Sequence, residues 1–127
     1  MDRVNVTSGR AAAVLRWAAR IWSLAALLIL GAFFVEHLSW FAQRGAPPPW
    51  WVFLAQACHL LLLAGLLLAW RWEWQGAALA LLGAAGFFAA IGFDADVVPF
   101  MAVMAFPAVP WIVRTWIVRR AANAWVE

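Results

Sequence analysis

The chain contains no lysine and no tyrosine, a single cysteine, and charged residues at only 12% of its 127 positions. Each shortage excludes something. Cys58 cannot close an internal disulfide, and no C-x-x-C pair exists to hold a metal or run redox chemistry. It reads as a small buried hydrophobe within an apolar run. The lack of tyrosine removes one acid–base or radical side chain. There is also no P-loop, no glycine-rich dinucleotide fingerprint, no H-E-x-x-H and no serine nucleophile elbow. No carboxylate pair falls at membrane depth, so the sequence points away from an enzyme. The scarcity of charge is the widest departure, because a soluble domain carries about 25% charged residues. With 68% hydrophobic residues, a soluble fold of this size could not cover its own apolar surface. Lipid removes the problem, since the outward face of a bundle then stays apolar.

What is present is ordered. Four apolar blocks of roughly membrane-spanning length are separated by short breaks, and the arginines favour alternate breaks. Arg3, Arg10, Arg16 and Arg20 precede the first block, Arg71 lies between the second and third, and Arg114, Arg119 and Arg120 end the fourth. Arg44 alone falls at another break, where Glu36, Asp94 and Asp96 also lie. Cations gather on the cytoplasmic side of membrane proteins. The pattern therefore predicts an all-α, four-transmembrane-helix bundle in one domain over residues 1–127, with both termini cytoplasmic. The formal charge of +3 forms no continuous basic face, which argues against nucleic acid. Arg16, Arg20, Arg71, Arg119 and Arg120 are instead expected to meet lipid headgroups.

The expected spans are about 17–40, 50–70, 74–93 and 97–117. Arg16 and Arg20 before Ile21–Leu30 resemble the start of a signal peptide. The apolar run continues to Glu36-His37 with no small-residue cleavage site, so a retained first helix is expected. Trp17, Trp22 and Trp40 suit the interfaces. Gly45 and Pro47-Pro48-Pro49 break the chain, because proline lacks the amide donor and restricts its predecessor. The turn Trp70-Arg71-Trp72-Glu73-Trp74 is short enough to make spans two and three antiparallel neighbours. Gly76, Ala80, Gly83 and Ala90 fall near one face of span three with Gly86 beside it. Such small residues let helices approach closely in lipid, either within the bundle or against a partner. Asp94-Ala95-Asp96 forms a solvated turn on the opposite side from Arg71. In span four, Pro107 and Pro110 predict a kink or unwinding between about Phe106 and Trp111.

His59 is the leading functional candidate. It lies nine residues into span two, roughly 14 Å from its start, with Gln56 one turn earlier on the same face. An ionisable group at this depth is costly and faces protein or a cavity. It could ligate a tetrapyrrole, relay protons, or bind the polar group of a lipid-soluble molecule such as a quinone. The plainer alternative is a neutral histidine hydrogen-bonded to a neighbouring helix. Glu36-His37 forms a second polar cluster, but the estimated depths of His37 and His59 differ by more than one turn, a poor match for a two-histidine haem site. No metal site is expected.

His59-Leu60, the run Ala69-Trp70-Arg71-Trp72-Glu73 and then Gly76 resemble a widespread family of small four-helix prokaryotic membrane proteins of unknown function. Its members have a His-Leu pair in the second span, an Ala-Trp-basic-Trp-Glu turn, a glycine opening the third span and a proline-bearing fourth. The resemblance covers about the last three spans, and Leu62 stands where the family often has a proline. It implies a multi-pass protein of the prokaryotic cytoplasmic membrane and adds no activity. The functional expectation is a non-catalytic accessory subunit of a larger respiratory or photosynthetic assembly, packed against other integral membrane subunits or its own copies. The alternatives are a small dimeric transporter using His59, or a protein that binds a lipid, quinone or tetrapyrrole.

Overall fold

The computed structural model describes residues 2–42 and 45–123; the side chains of residues 2–8, Trp40, Val97 and Ala121 are outside that description. Arg3, Gln43, Arg44, the interfacial role expected of Trp40 and the end of the tail at 124–127 therefore lie outside the described residues. The chain is all-α. Helix α1 runs Asp2–Ala42, α2 Trp50–Leu68, α3 Glu73–Ile91, α4 Val98–Ala105 and α5 Val109–Asn123. Short 3₁₀ turns at Ala95–Val97 and Phe106–Ala108 precede α4 and α5. Among the described residues four helical stretches are long and apolar enough to cross a membrane: Gly9–Ser39, Trp50–Leu68, Glu73–Ile91 and Val98–Arg120.

The breaks follow from backbone chemistry. No proline interrupts α1, and its 41 residues extend about 61 Å at 1.5 Å each, roughly twice a bilayer's hydrocarbon core. Its first turns are thus surplus to the span. Helix α2 ends in a tight turn in which the amides of Arg71 and Trp72 donate to the Leu68 carbonyl at 3.0 and 2.8 Å. Helix α3 stops at Gly92, whose φ of 97° is open to glycine and strained for other residues. The last span breaks at its prolines. Pro110 brings no amide to the Phe106 carbonyl, and the Val109 amide takes that carbonyl instead, tightening the backbone into a 3₁₀ turn. At Leu62 α2 continues without interruption, and that side chain is fully buried.

The core has a dense side and a thin side. Helices α2 and α3 touch backbone to backbone along Gly65, Gly76 and Gly83. A Cβ at Gly65 would come within 2.8 Å of the Gly76 carbonyl oxygen, and one at Gly83 within 2.7 Å of the Cys58 carbonyl oxygen. Leu62, Leu66, Ala77, Ala80, Ala84 and Phe88 fill the space around this contact. Helix α1 contributes a single small-residue face to the core, Ala19, Ser23 and Ala26. Only 17% of its spanning window is buried, against 28–33% for the other three.

Candidate functional site in the bundle

His59 sits on the face of α2 that meets both α1 and α3, and it is 1% exposed. Two phenyl rings enclose it edge-on. Phe34 of α1 lies 5.4 Å away at 90°, and Phe87 of α3 lies 5.5 Å away at 68°. The Leu30 carbonyl faces the imidazole. Even so, Nε2 is buried with no hydrogen-bond partner. A buried polar atom left unpartnered costs about 1–3 kcal/mol, and native structures hold few of them.

Gln56 lies one turn from His59 but does not bond to it. Its side-chain amide donates to the Phe34 carbonyl at 3.1 Å and so ties α2 to α1 at the level of the His59 ring. Beside it is a cavity of about 240 Å³ lined by His37, Trp51, Val52, Ala55, Gln56, Phe87 and Ile91. His37 reaches the cavity from α1, with Nδ1 2.7 Å from the Phe33 carbonyl. Because a carbonyl only accepts, Nδ1 is the protonated nitrogen. Phe87 belongs to both places, as a wall of the cavity and a cover of His59. His59 is level with Leu30 and Phe34 on α1, while His37 lies further along that helix, so the two imidazoles do not face one another across a plane. Cys58 is half-buried, with its Sγ 2.7 Å from where a Cβ would stand on Gly86.

The small residues of α3 divide by position. Gly76, Ala80 and Gly83 are buried against α2. Gly86 meets only the Cys58 side chain, and Ala90 borders an open groove with Trp50 and Leu54. The stripe is thus occupied by the chain's own second helix, which resolves the choice between bundle and partner for its buried part. Gly65, the matching residue on α2, carries no signal in a leucine-rich run beyond being a lone glycine.

At the arginine-rich end the structure assembles residues that the sequence pattern did not connect. Arg114 is 8% exposed. It forms an ion pair with Glu73 at the start of α3, and its Nε donates to the Ala12 carbonyl of α1 at 3.3 Å. Deeper in, the Trp111 indole, fully buried, donates to Ser23 Oγ at 2.8 Å. The 19/23/26 spacing of small residues on α1 was the available signal for this seat. Three further cations lie over indoles: Arg20 with Trp17 at 5.6 Å and Trp70 at 5.8 Å, Arg119 with Trp74 at 5.9 Å, and Arg120 with Trp116 at 3.8 Å. Arg16 and Arg71 are exposed, as are Asp94 and Asp96 at the other end.

Four membrane-length helices, short turns and an apolar exterior define a four-span integral membrane protein. The chain belongs to the family described as Domain of unknown function (DUF7670), which matches residues 7–123 and so takes in the first span as well as the other three. No curated protein and no solved structure matches the chain.

Proposed function

We propose that this is a non-catalytic protein of the prokaryotic cytoplasmic membrane, both termini cytoplasmic, that holds a small lipid-soluble molecule with a hydrogen-bonding head. A quinone is the reference ligand. The observation that carries this reading is the unpartnered Nε2 of His59 beside a cavity edged by His37 and Gln56. A neutral imidazole can donate to a carbonyl or accept from a hydroxyl, and either would remove the cost of the orphaned nitrogen. The cavity's other walls are apolar or aromatic, the usual lining of a small-molecule site. Rotation of Phe87 would join the cavity to His59.

The accessory-subunit reading keeps one independent support, the thin burial of α1, which leaves most of that helix's circumference open to a neighbouring subunit or a second copy. The glycine stripe no longer supports it, because α2 occupies the stripe. A dimeric transporter built on His59 would need a route to both membrane faces, and the phenyl walls weigh against one.

Extraction in mild detergent, followed by intact-complex mass spectrometry and titration with a short-chain benzoquinone, tests these readings together. The quinone should quench Trp51 fluorescence saturably. His59→Leu should weaken binding about tenfold, the equivalent of roughly one lost hydrogen bond of 1.4 kcal/mol, and Trp51→Phe should remove the quenched signal. Unchanged affinity in folded His59→Leu would end the ligand proposal. Extraction solely as a ligand-bearing monomer or homodimer would end the accessory-subunit reading.

A further inference from the structure

Among the described side chains, the arginine-rich end has more cation than carboxylate. Arg10, Arg16, Arg20, Arg71, Arg114, Arg119 and Arg120 share it with Glu73, and Glu73 is already taken by Arg114. Among the described residues that is the only ion pair. The other six cations are not alike. Arg119 and Arg120 are exposed on the last turns of α5, where water serves their donors. Arg20 is half-buried, and its Nε is shut away from solvent with no hydrogen-bond partner. Its guanidinium lies over Trp17 of its own helix and Trp70 at the end of α2. Those rings attract the charge, but contacts at 5.6 and 5.8 Å give Nε no hydrogen-bond partner.

We infer that Arg20, where α1 meets the end of α2 at Trp70, is the seat for one anionic phospholipid headgroup, with Arg16 and Arg71 beside it. Four features select that occupant. A guanidinium fork matches phosphate oxygens, which accept two parallel hydrogen bonds. Arg16 stands one helical turn from Arg20 on the same face, and Arg71 directly follows Trp70, so further positive charge flanks the seat. Trp17 and Trp70 are the side chains that settle at headgroup depth. A zwitterionic headgroup would bring its own cation into this excess of arginine, so the seat favours a lipid with net negative charge. This inference does not depend on the His59 ligand, which lies in a different part of the bundle and is read by a different probe.

The test is intact-protein mass spectrometry of the chain released from nanodiscs of mixed phosphatidylglycerol and phosphatidylcholine. The wild type should retain phosphatidylglycerol in preference. Arg20→Gln should cut that retention about fivefold or more, given roughly 1 kcal/mol per arginine at an anionic surface. The Arg119→Gln/Arg120→Gln double variant should cut it by less than Arg20→Gln does. Arg20→Lys keeps the charge but loses Nε and should still fall below wild type. Should Arg20→Gln fail to fold, the exposed Arg16→Gln/Arg71→Gln pair gives a second reading, again as reduced retention. Inorganic phosphate in the buffer should leave the lipid in place. Equal retention of the two lipids, equal loss in the Arg119/Arg120 variant, full retention in Arg20→Lys, no loss in the Arg16/Arg71 pair, or displacement by free phosphate would each overturn the assignment.

Discussion

Helices α2 and α3 are held backbone to backbone, whereas α1 is held to the same bundle by side chains. The first interface is built on Gly65, Gly76 and Gly83, where no Cβ fits. Across the second run the Gln56 amide to Phe34, the Trp111 indole to Ser23 and the Arg114 guanidinium to Ala12. Lipid explains the division. With no hydrophobic drive between helices, association comes from close van der Waals packing or from hydrogen bonds, and this chain uses the first between α2 and α3 and the second from α2 and α5 to α1. The consequence is unequal density. The α2–α3 seam is filled along its middle, while α1 borders both the cavity at His37 and a wholly apolar groove of about 390 Å³ against α4. Between α2 and α3 themselves, space opens beyond Gly83, where side chains rather than backbones set the distance between the helices.

Three substitutions would break or sharpen this contrast. The largest effect is expected at Gly76→Val. A side chain there runs into the Ala69 backbone, which cannot step aside as a rotamer can. The loss should exceed the 1–3 kcal/mol or so typical of overpacking, read as reduced unfolding free energy in mixed detergent micelles. Gly86→Ala meets only the Cys58 sulfur and serves as the mild control; equal losses at the two glycines would show that the seam is not a backbone contact.

Next comes Glu73→Gln, which leaves the Arg114 cation without its carboxylate. A fully buried pair costs about 3–5 kcal/mol to break this way. The Glu73 side chain is 24% exposed, so about 1–3 kcal/mol is expected from the same unfolding measurement. A restored melting temperature in Arg114→Met/Glu73→Gln would identify the stranded charge as the cause.

The smallest effect belongs to Ser23→Ala, which strips the indole of its acceptor. Hydrogen bonds between membrane helices contribute about 0.6 kcal/mol on average, with a maximum of about 1.7. A double-mutant cycle with Trp111→Phe should return a coupling in that range. Zero coupling would leave α1 held by the Gln56 and Arg114 bonds and by packing, and weaken the contrast.

The membrane architecture was legible because its determinants are local. Pro47–Pro49 and the Trp70–Trp74 turn separate apolar runs of fixed length. Pro107 and Pro110 carry their own consequence, since a missing amide acts wherever the residue sits, and the chain unwinds to 3₁₀ at Phe106–Ala108. The candidate site was legible only in part. His59 stood out by depth, and it is indeed enclosed. Gln56 shares its face as the spacing implied, yet bonds to a carbonyl of another helix, 22 residues away. Pattern cannot foresee such a partner, because a backbone carbonyl has no signature in sequence. The same holds for Arg114. The sequence pattern places it only among the cations that end span four, whereas among the described residues it is the one arginine paired with a carboxylate, across the bundle.

The amino-acid sequence by itself determined that the chain crosses lipid as four helices and where those helices turn, because hydrocarbon demands internally satisfied backbone from every apolar run of that length. It also determined that one imidazole would lie too deep to be hydrated. Which helices touch through backbone, which cation finds Glu73, and which donors stay unmet at His59 and Arg20 were decided by the tertiary structure. Those outcomes depend on helix rotation and separation, set jointly by glycines and side chains far apart in the chain, and no local stretch encodes them.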